Sequence, residues 1–110
     1  MNTVPLEQLH FEAFAKLLKT TFRVWIDAQQ AVELELSEIT PPRMALTGGT
    51  NGLRYENFAL MFRGPADRLL AQRIYLFEST QLGRFELFIV PVGRDANGAQ
   101  YQATFNRPVK

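Results

Sequence analysis

The sequence predicts a mainly β protein: a small antiparallel barrel or sandwich of about six strands with one N-terminal helix. Three observations carry that expectation. Only the stretch near the N-terminus has a helical period. Apolar residues after Thr20 recur instead with the period of strands. The segments between those runs are short and rich in turn formers, Asn97-Gly98 and Gly64-Pro65 among them. At 110 residues, with 46% apolar and 21% charged side chains, the chain has the size and composition of a single domain over 1–110. Such a domain buries enough surface to fold without the disulfides that its complete lack of cysteine excludes.

Along residues 6–18, Leu6, Leu9, Ala13, Phe14, Leu17 and Leu18 share one side of a helical wheel and Gln8, Glu12, Lys16 and Lys19 the other. Pro5 is tolerated in a first turn. The spacing predicts one helix over 6–18, or two short turns, laid against a core. Strands are expected at 20–27, 31–37, 56–63, 73–79, 84–92 and 100–106. Val32, Leu34 and Leu36 alternate with Glu33, Glu35 and Ser37, the pattern of a strand with one wet face. The last two strands are expected to form a hairpin through Asp95-Ala96-Asn97-Gly98, closed either by a two-residue primed turn or by a four-residue loop; the choice sets the register. Pro65 is expected to open one helical turn that buries Leu69 and Leu70. Residues 40–54, with Pro41-Pro42 and Gly48, Gly49 and Gly52, read as the longest irregular loop, with a short strand near Met44–Thr47 left open. Pro91 lacks an N–H, so its strand is expected to lie at an edge or to be bulged there.

Strands 73–79 and 84–92 are apolar on both faces: Ile74 and Leu76 against Tyr75 and Phe77, then Phe85, Leu87 and Ile89 against Phe88, Val90 and Val92. Both faces then need cover. The expected covers are the helix on one side and a partner subunit on the other.

Chemistry finds little support. His10 is the single histidine and sits at the edge of the apolar side of the expected helix, a place for a packed or capping residue. Neither Ser37 nor Ser79 lies in a nucleophile elbow. Glu33 and Glu35 share a strand face and could act as a carboxylate pair, but a solvated face accounts for both. Gly48-Gly49-Thr50-Asn51-Gly52 lacks the Lys-Ser/Thr of a phosphate loop, and Asp95–Gly98 lacks most of a calcium loop. No catalytic, cofactor-binding or metal-ligating residues are expected. The net charge of +1 is too small for a general nucleic-acid binder. Arg63, Arg68, Arg73, Arg84, Arg94 and Arg107 nevertheless interleave with Phe62, Tyr75, Phe85 and Tyr101, a mix that a single-strand-binding barrel would use. Trp25 alternates onto the face opposite Phe22, Val24 and Ile26, so it is either a contact residue or covered by the helix. The opening residues lack the basic start of a signal peptide, and the apolar run around Phe88–Val92 is far shorter than the ~20 residues of a membrane span.

Phe62-Arg63-Gly64-Pro65, Leu70-x-Gln72, Tyr75, Leu82-Gly83, the run Glu86–Gly93, Asp95, Gly98 and Tyr101-x-Ala103-x-Phe105-Asn106 resemble a family of small bacterial domains of unknown function. Thr21-Phe22-Arg23-Val24 fits the family's opening strand. Where family members carry a His-Pro pair, this chain has Ser79-Thr80, so an essential histidine there is not implied. The resemblance implies an association with phage-tail-like assemblies and no activity. Most of its residues are those of turns and core.

The sequence therefore predicts a non-enzymatic, cytoplasmic interaction or assembly module without cofactor or membrane contact, whose partner is a protein or itself as a homo-oligomer. A small-ligand-binding barrel with its mouth near 40–54 is the alternative, and a single-stranded nucleic-acid barrel a lesser one.

Overall fold

The computed structural model describes residues 3–5, 8–46 and 54–109, with side chains described for these except 41–56 and 106–109. Six strands follow one short helix: α1 (Phe11–Ala15), β1 (Thr21–Trp25), β2 (Ala31–Leu46), β3 (Arg54–Gly64), β4 (Arg73–Ser79), β5 (Gly83–Asp95) and β6 (Gly98–Val109). All neighbours are antiparallel, and the sheet closes on itself as a barrel in the order β1-β2-β3-β6-β5-β4. Closure is made by β1 against β4, where Trp25 pairs with Leu76 and Arg23 with Glu78.

Period-two alternation decides what fills the barrel. Phe22 and Val24 of β1, Leu34 and Leu36 of β2, Leu60 and Phe62 of β3, Phe77 of β4, Phe85 and Ile89 of β5 and Tyr101 of β6 all point inward and are almost wholly buried. The rings of Phe22, Phe62, Phe77 and Phe85 pack on one another at centroid distances of 5.2 to 6.3 Å. A six-stranded barrel lined by phenylalanine is filled by its own side chains.

The expected helix over 6–18 is much shorter. Residues 6 and 7 lie outside the described residues, α1 spans Phe11–Ala15, and turns follow over 16–19. Lys19 ends the helical path by taking a left-handed conformation, φ 71°. Its N–H then donates to the Leu36 carbonyl, and the Leu36 N–H donates to Thr20, so the chain joins β2 instead of coiling further. The Thr20 hydroxyl satisfies the Leu17 carbonyl at 2.6 Å. The apolar side of this segment still buries as the period requires. Phe14 is fully buried against Phe58, Phe85 and Phe105. The helix therefore plugs an end of the barrel and leaves the outer faces of β4 and β5 without the cover expected of it.

The other end is closed by residues 65–72. The Tyr101 hydroxyl accepts the Leu70 N–H at 2.8 Å, and the Tyr75 hydroxyl donates to the Ala71 carbonyl at 2.7 Å. In place of the expected helical turn over both leucines there is a tight turn, with the Arg68 N–H donating to the Pro65 carbonyl. It buries Leu70 and leaves Leu69 exposed.

Four strands outrun their expected limits. β2 continues through Thr40 to Leu46 and β3 begins at Arg54, so the long loop expected over 40–54 is strand at both ends; residues 47–53 lie outside the described residues. Pro41-Pro42 fall where the β2–β3 register shifts between Thr40 and Arg43. Beyond Leu36, β2 pairs with β3 alone among the described residues, on an edge that tolerates prolines. β3 and β6 stay paired as far as Arg54 and Val109, so a three-stranded ribbon extends past the barrel. β1, by contrast, ends at Trp25, two residues early, because Asp27 turns the chain by accepting the N–H groups of Gln29 and Gln30.

The β5–β6 hairpin closes through Ala96-Asn97, with Asp95 paired to Gly98. Lys19 is the only described non-glycine residue with positive φ, so this is not a primed turn. The Asp95 carboxylate accepts the Asn97 N–H at 2.8 Å, and Gly98 takes the positive φ, 137°. Pro91 sits at a bulge, as its missing N–H demands: the register slips between Pro91 and Gly93.

Candidate interaction surface

The barrel wall that is unusual for a folded chain is the outer face of β1, β4 and β5. Its first row follows from register. Glu33 of β2 faces Arg23 of β1, Arg23 faces Glu78 of β4, and Glu78 faces Arg84 of β5, a cross-strand row of alternating charge. At its centre the Glu78 carboxylate accepts from Arg84 Nε at 3.1 Å and from the Trp25 indole at 3.2 Å. These two bonds, the Arg84 one first, hold the Glu78 carboxyl below its ordinary value. Arg23 lies over the Trp25 ring, 5.9 Å from its centre. Trp25 is thus half-buried by its own strand neighbours, and the helix does not cover it.

One row further on, Glu86 opposite Leu76 is the last charge before the wall turns apolar. Beyond Trp25 and Leu76 come Ile74, paired with Phe88, and then Val90 and Val92 along β5. Ile74 is 60% exposed, Phe88 46% and Val92 48%. Between the β1–β2 turn and β4 a groove of about 450 Å³ is lined by Trp25, Asp27, Ala28, Leu76 and Arg84. Isolated exposed apolar residues are ordinary, but a continuous stripe of them on a wall whose other face is fully packed is the mark of a contact surface.

The other candidates from the sequence are scattered. His10 is exposed at the N-cap of α1 and its side chain makes no cap bond. Glu33 is exposed on the outer wall and Glu35 half-buried there. The hydroxyl of Ser37 donates to the Met61 carbonyl, and that of Ser79 accepts the N–H groups of Gln81 and Leu82, so both are structural. Gly48–Gly52 lie outside the described residues. Phe62, Phe85, Tyr75 and Tyr101, the aromatics that would stack bases, all point into the core. Among the described residues, no three His, Asp or Glu groups gather as a metal site, and no helix is long and apolar enough to cross a membrane.

A family model described as a domain of unknown function, DUF6916, matches residues 9–105. The chain belongs to this family. The match runs from Leu9 of the end plug to Phe105, which packs on Phe14 and Phe58, so the matched span includes the plug as well as the strands. Comparison with curated proteins and with solved structures gives no match.

The sequence missed the Glu78 contacts altogether. Trp25 and Glu78 are 53 residues apart, and nothing local to either signals the other; only the barrel closure brings them together.

Proposed function

We propose that this DUF6916 chain is a non-enzymatic assembly module that self-associates through the outer face of β4 and β5. The observation that supports this reading is the stripe of Ile74, Phe88 and Val92, exposed on a wall whose inner face is already filled. The helix expected to shield it is committed to the barrel end through Phe14. The packed interior also favours this reading over a ligand held inside the barrel. A role in a phage-tail-like assembly, implied by the family resemblance, is a setting in which such a module would act, and the genes beside this one test it.

The experiment is sedimentation equilibrium on the full chain and on Ile74→Asp. Ile74 is exposed, so the substitution leaves folding intact. Self-association at about 100 μM that Ile74→Asp abolishes, with an unchanged far-ultraviolet circular dichroism spectrum, supports the reading; loss of the dimer by itself is expected to lower the thermal midpoint. A wild-type chain that stays monomeric at that concentration overturns it.

A further inference from the structure

We infer that the N-terminal plug is a gate: the segment around α1 swings out at the turn over 16–19 while the barrel stays shut, and the seat that Phe14 leaves takes an uncharged aromatic ligand. The inference is independent of self-association, since it concerns the barrel mouth and not the β4–β5 wall. Register shows where the gate sits. β5 pairs with β6 from Asp95 back to Val90, and there their pairing ends. The rest of β5 is laddered to β4, and β6 from Ala103 onward is laddered to β3. The plug fills the gap between the two parting strands. Phe14 spans it, its ring centre 5.9 Å from that of Phe85 on β5 and 5.6 Å from that of Phe105 on β6, with Phe58 of β3 at 6.4 Å. One ring seated among three others defines the chemistry that the seat accepts. The interior beneath is filled by the barrel's own side chains, so the seat is confined to the mouth.

The bonds around the plug suit a swinging segment. The N–H groups of Ala13 and Lys16 donate to the carbonyls of His10 and Glu12, inside the segment, so a swing leaves them made. The root is fixed: the Lys19 N–H donates to the Leu36 carbonyl, and Thr20 donates to the Leu17 carbonyl through both its N–H and its hydroxyl. At the far end the Val4 N–H donates to the Arg84 carbonyl at 2.7 Å. A five-residue helix without a side-chain cap bond has little stability of its own. Closure draws on apolar contact with Phe14 at its centre, whereas each strand is held by a backbone ladder, and segments of the first kind open at lower cost.

The test is hydrogen exchange by mass spectrometry on the full chain in native buffer, with and without N-phenyl-1-naphthylamine as the uncharged aromatic probe. Amides of residues 8–16 are expected to exchange at least about tenfold faster than those of β3 and β6, at a rate that sub-denaturing urea leaves nearly unchanged. Saturating probe is expected to speed the plug's exchange further and to leave the strands alone, because a ligand in the seat holds the gate open. In Phe14→Ala the seat no longer has to be vacated, so the probe is expected to bind about tenfold tighter or more than to wild type. The exchange measurements use wild type and so stand even where that variant does not fold. Plug amides that exchange only together with the strands show a fixed piece of core and overturn the gate. A probe that leaves plug exchange unchanged, as binding on the exposed β4–β5 stripe would, overturns the seat.

Discussion

Gly98→Ala is expected to be among the most damaging single-atom-group changes in this barrel. Gly98 closes the β5–β6 hairpin at φ 137°, in a region that a side chain makes costly by about 1–3 kcal/mol. A methyl there would also run into the backbone carbonyl of Gly64, at the end of β3. It would come within 3.0 Å of Arg63 Cγ as well. The arginine can swing aside. The Gly64 carbonyl cannot, because Gly64 is fixed opposite Ala99 in the β3–β6 ladder. Strain and overlap together point to a loss of about 3 kcal/mol, which for a domain of this size lowers the urea midpoint by about 2 M. Gly93→Ala supplies the control within the same strand pair. No positive φ holds Gly93, and the nearest atom to an added methyl is the flexible Gln100 Oε1 at 3.4 Å. That change is expected to stay within about 1 kcal/mol of wild type. The assay is equilibrium urea unfolding of all three proteins by far-ultraviolet circular dichroism. Equal midpoints for the two alanine variants would refute the account of why the hairpin needs glycine at 98 and not at 93.

Two further outcomes follow from the ends and the wall of the barrel. Tyr101→Phe removes the acceptor of the buried Leu70 N–H and is expected to cost about 1–3 kcal/mol in the same urea assay, whereas a neutral result would mean that water replaces the hydroxyl at that end. Trp25 is the only tryptophan, so its emission reports the Glu78 carboxylate that accepts its indole N–H. Because the folded Glu78 carboxyl titrates below its ordinary 4.5, the charged form stabilises the fold above that pH, and the contribution is lost as pH falls through the folded value. Trp25 emission is expected to titrate with a midpoint below 4.5 that rises in Arg84→Gln and vanishes in Glu78→Gln; a wild-type midpoint at or above 4.5 would show that the two bonds do not hold the charge.

The strands were legible because alternation survives in each of them: Phe22 and Val24, Leu34 and Leu36, or Phe85, Leu87 and Ile89 cannot be buried together in any other conformation. The bulge at Pro91 was legible for the same local reason, a missing donor. What failed was everything decided at a distance. The apolar wheel over 6–18 correctly picked out Leu9, Phe14 and Leu17 as buried, but not that Leu36 would capture Lys19 and end the helix. Pro41-Pro42 looked like the start of a loop because a sequence does not reveal which strand will be left without a second neighbour. The two-sided apolar character of 73–79 and 84–92 was plain from the residues. That the helix would go elsewhere, leaving Ile74 and Phe88 bare, depended on where Phe14 found its partners.

The closure of the barrel between its first and fourth strands has a kinetic meaning. Each other pair of neighbouring strands either follows along the chain or, as with β3 and β6, is joined by a long antiparallel ladder. The β1–β4 seam is short, three residue pairs, and its partners lie more than fifty residues apart. Such a contact bears a large loop-closure entropy and little pairing to offset it until the flanking hairpins are in place. The seam is therefore expected to zip last and part first, and the lone tryptophan sits on it. A stopped-flow trace of Trp25 emission would time the shutting of the ring itself, while circular dichroism on the same sample would time the hairpins that come before it.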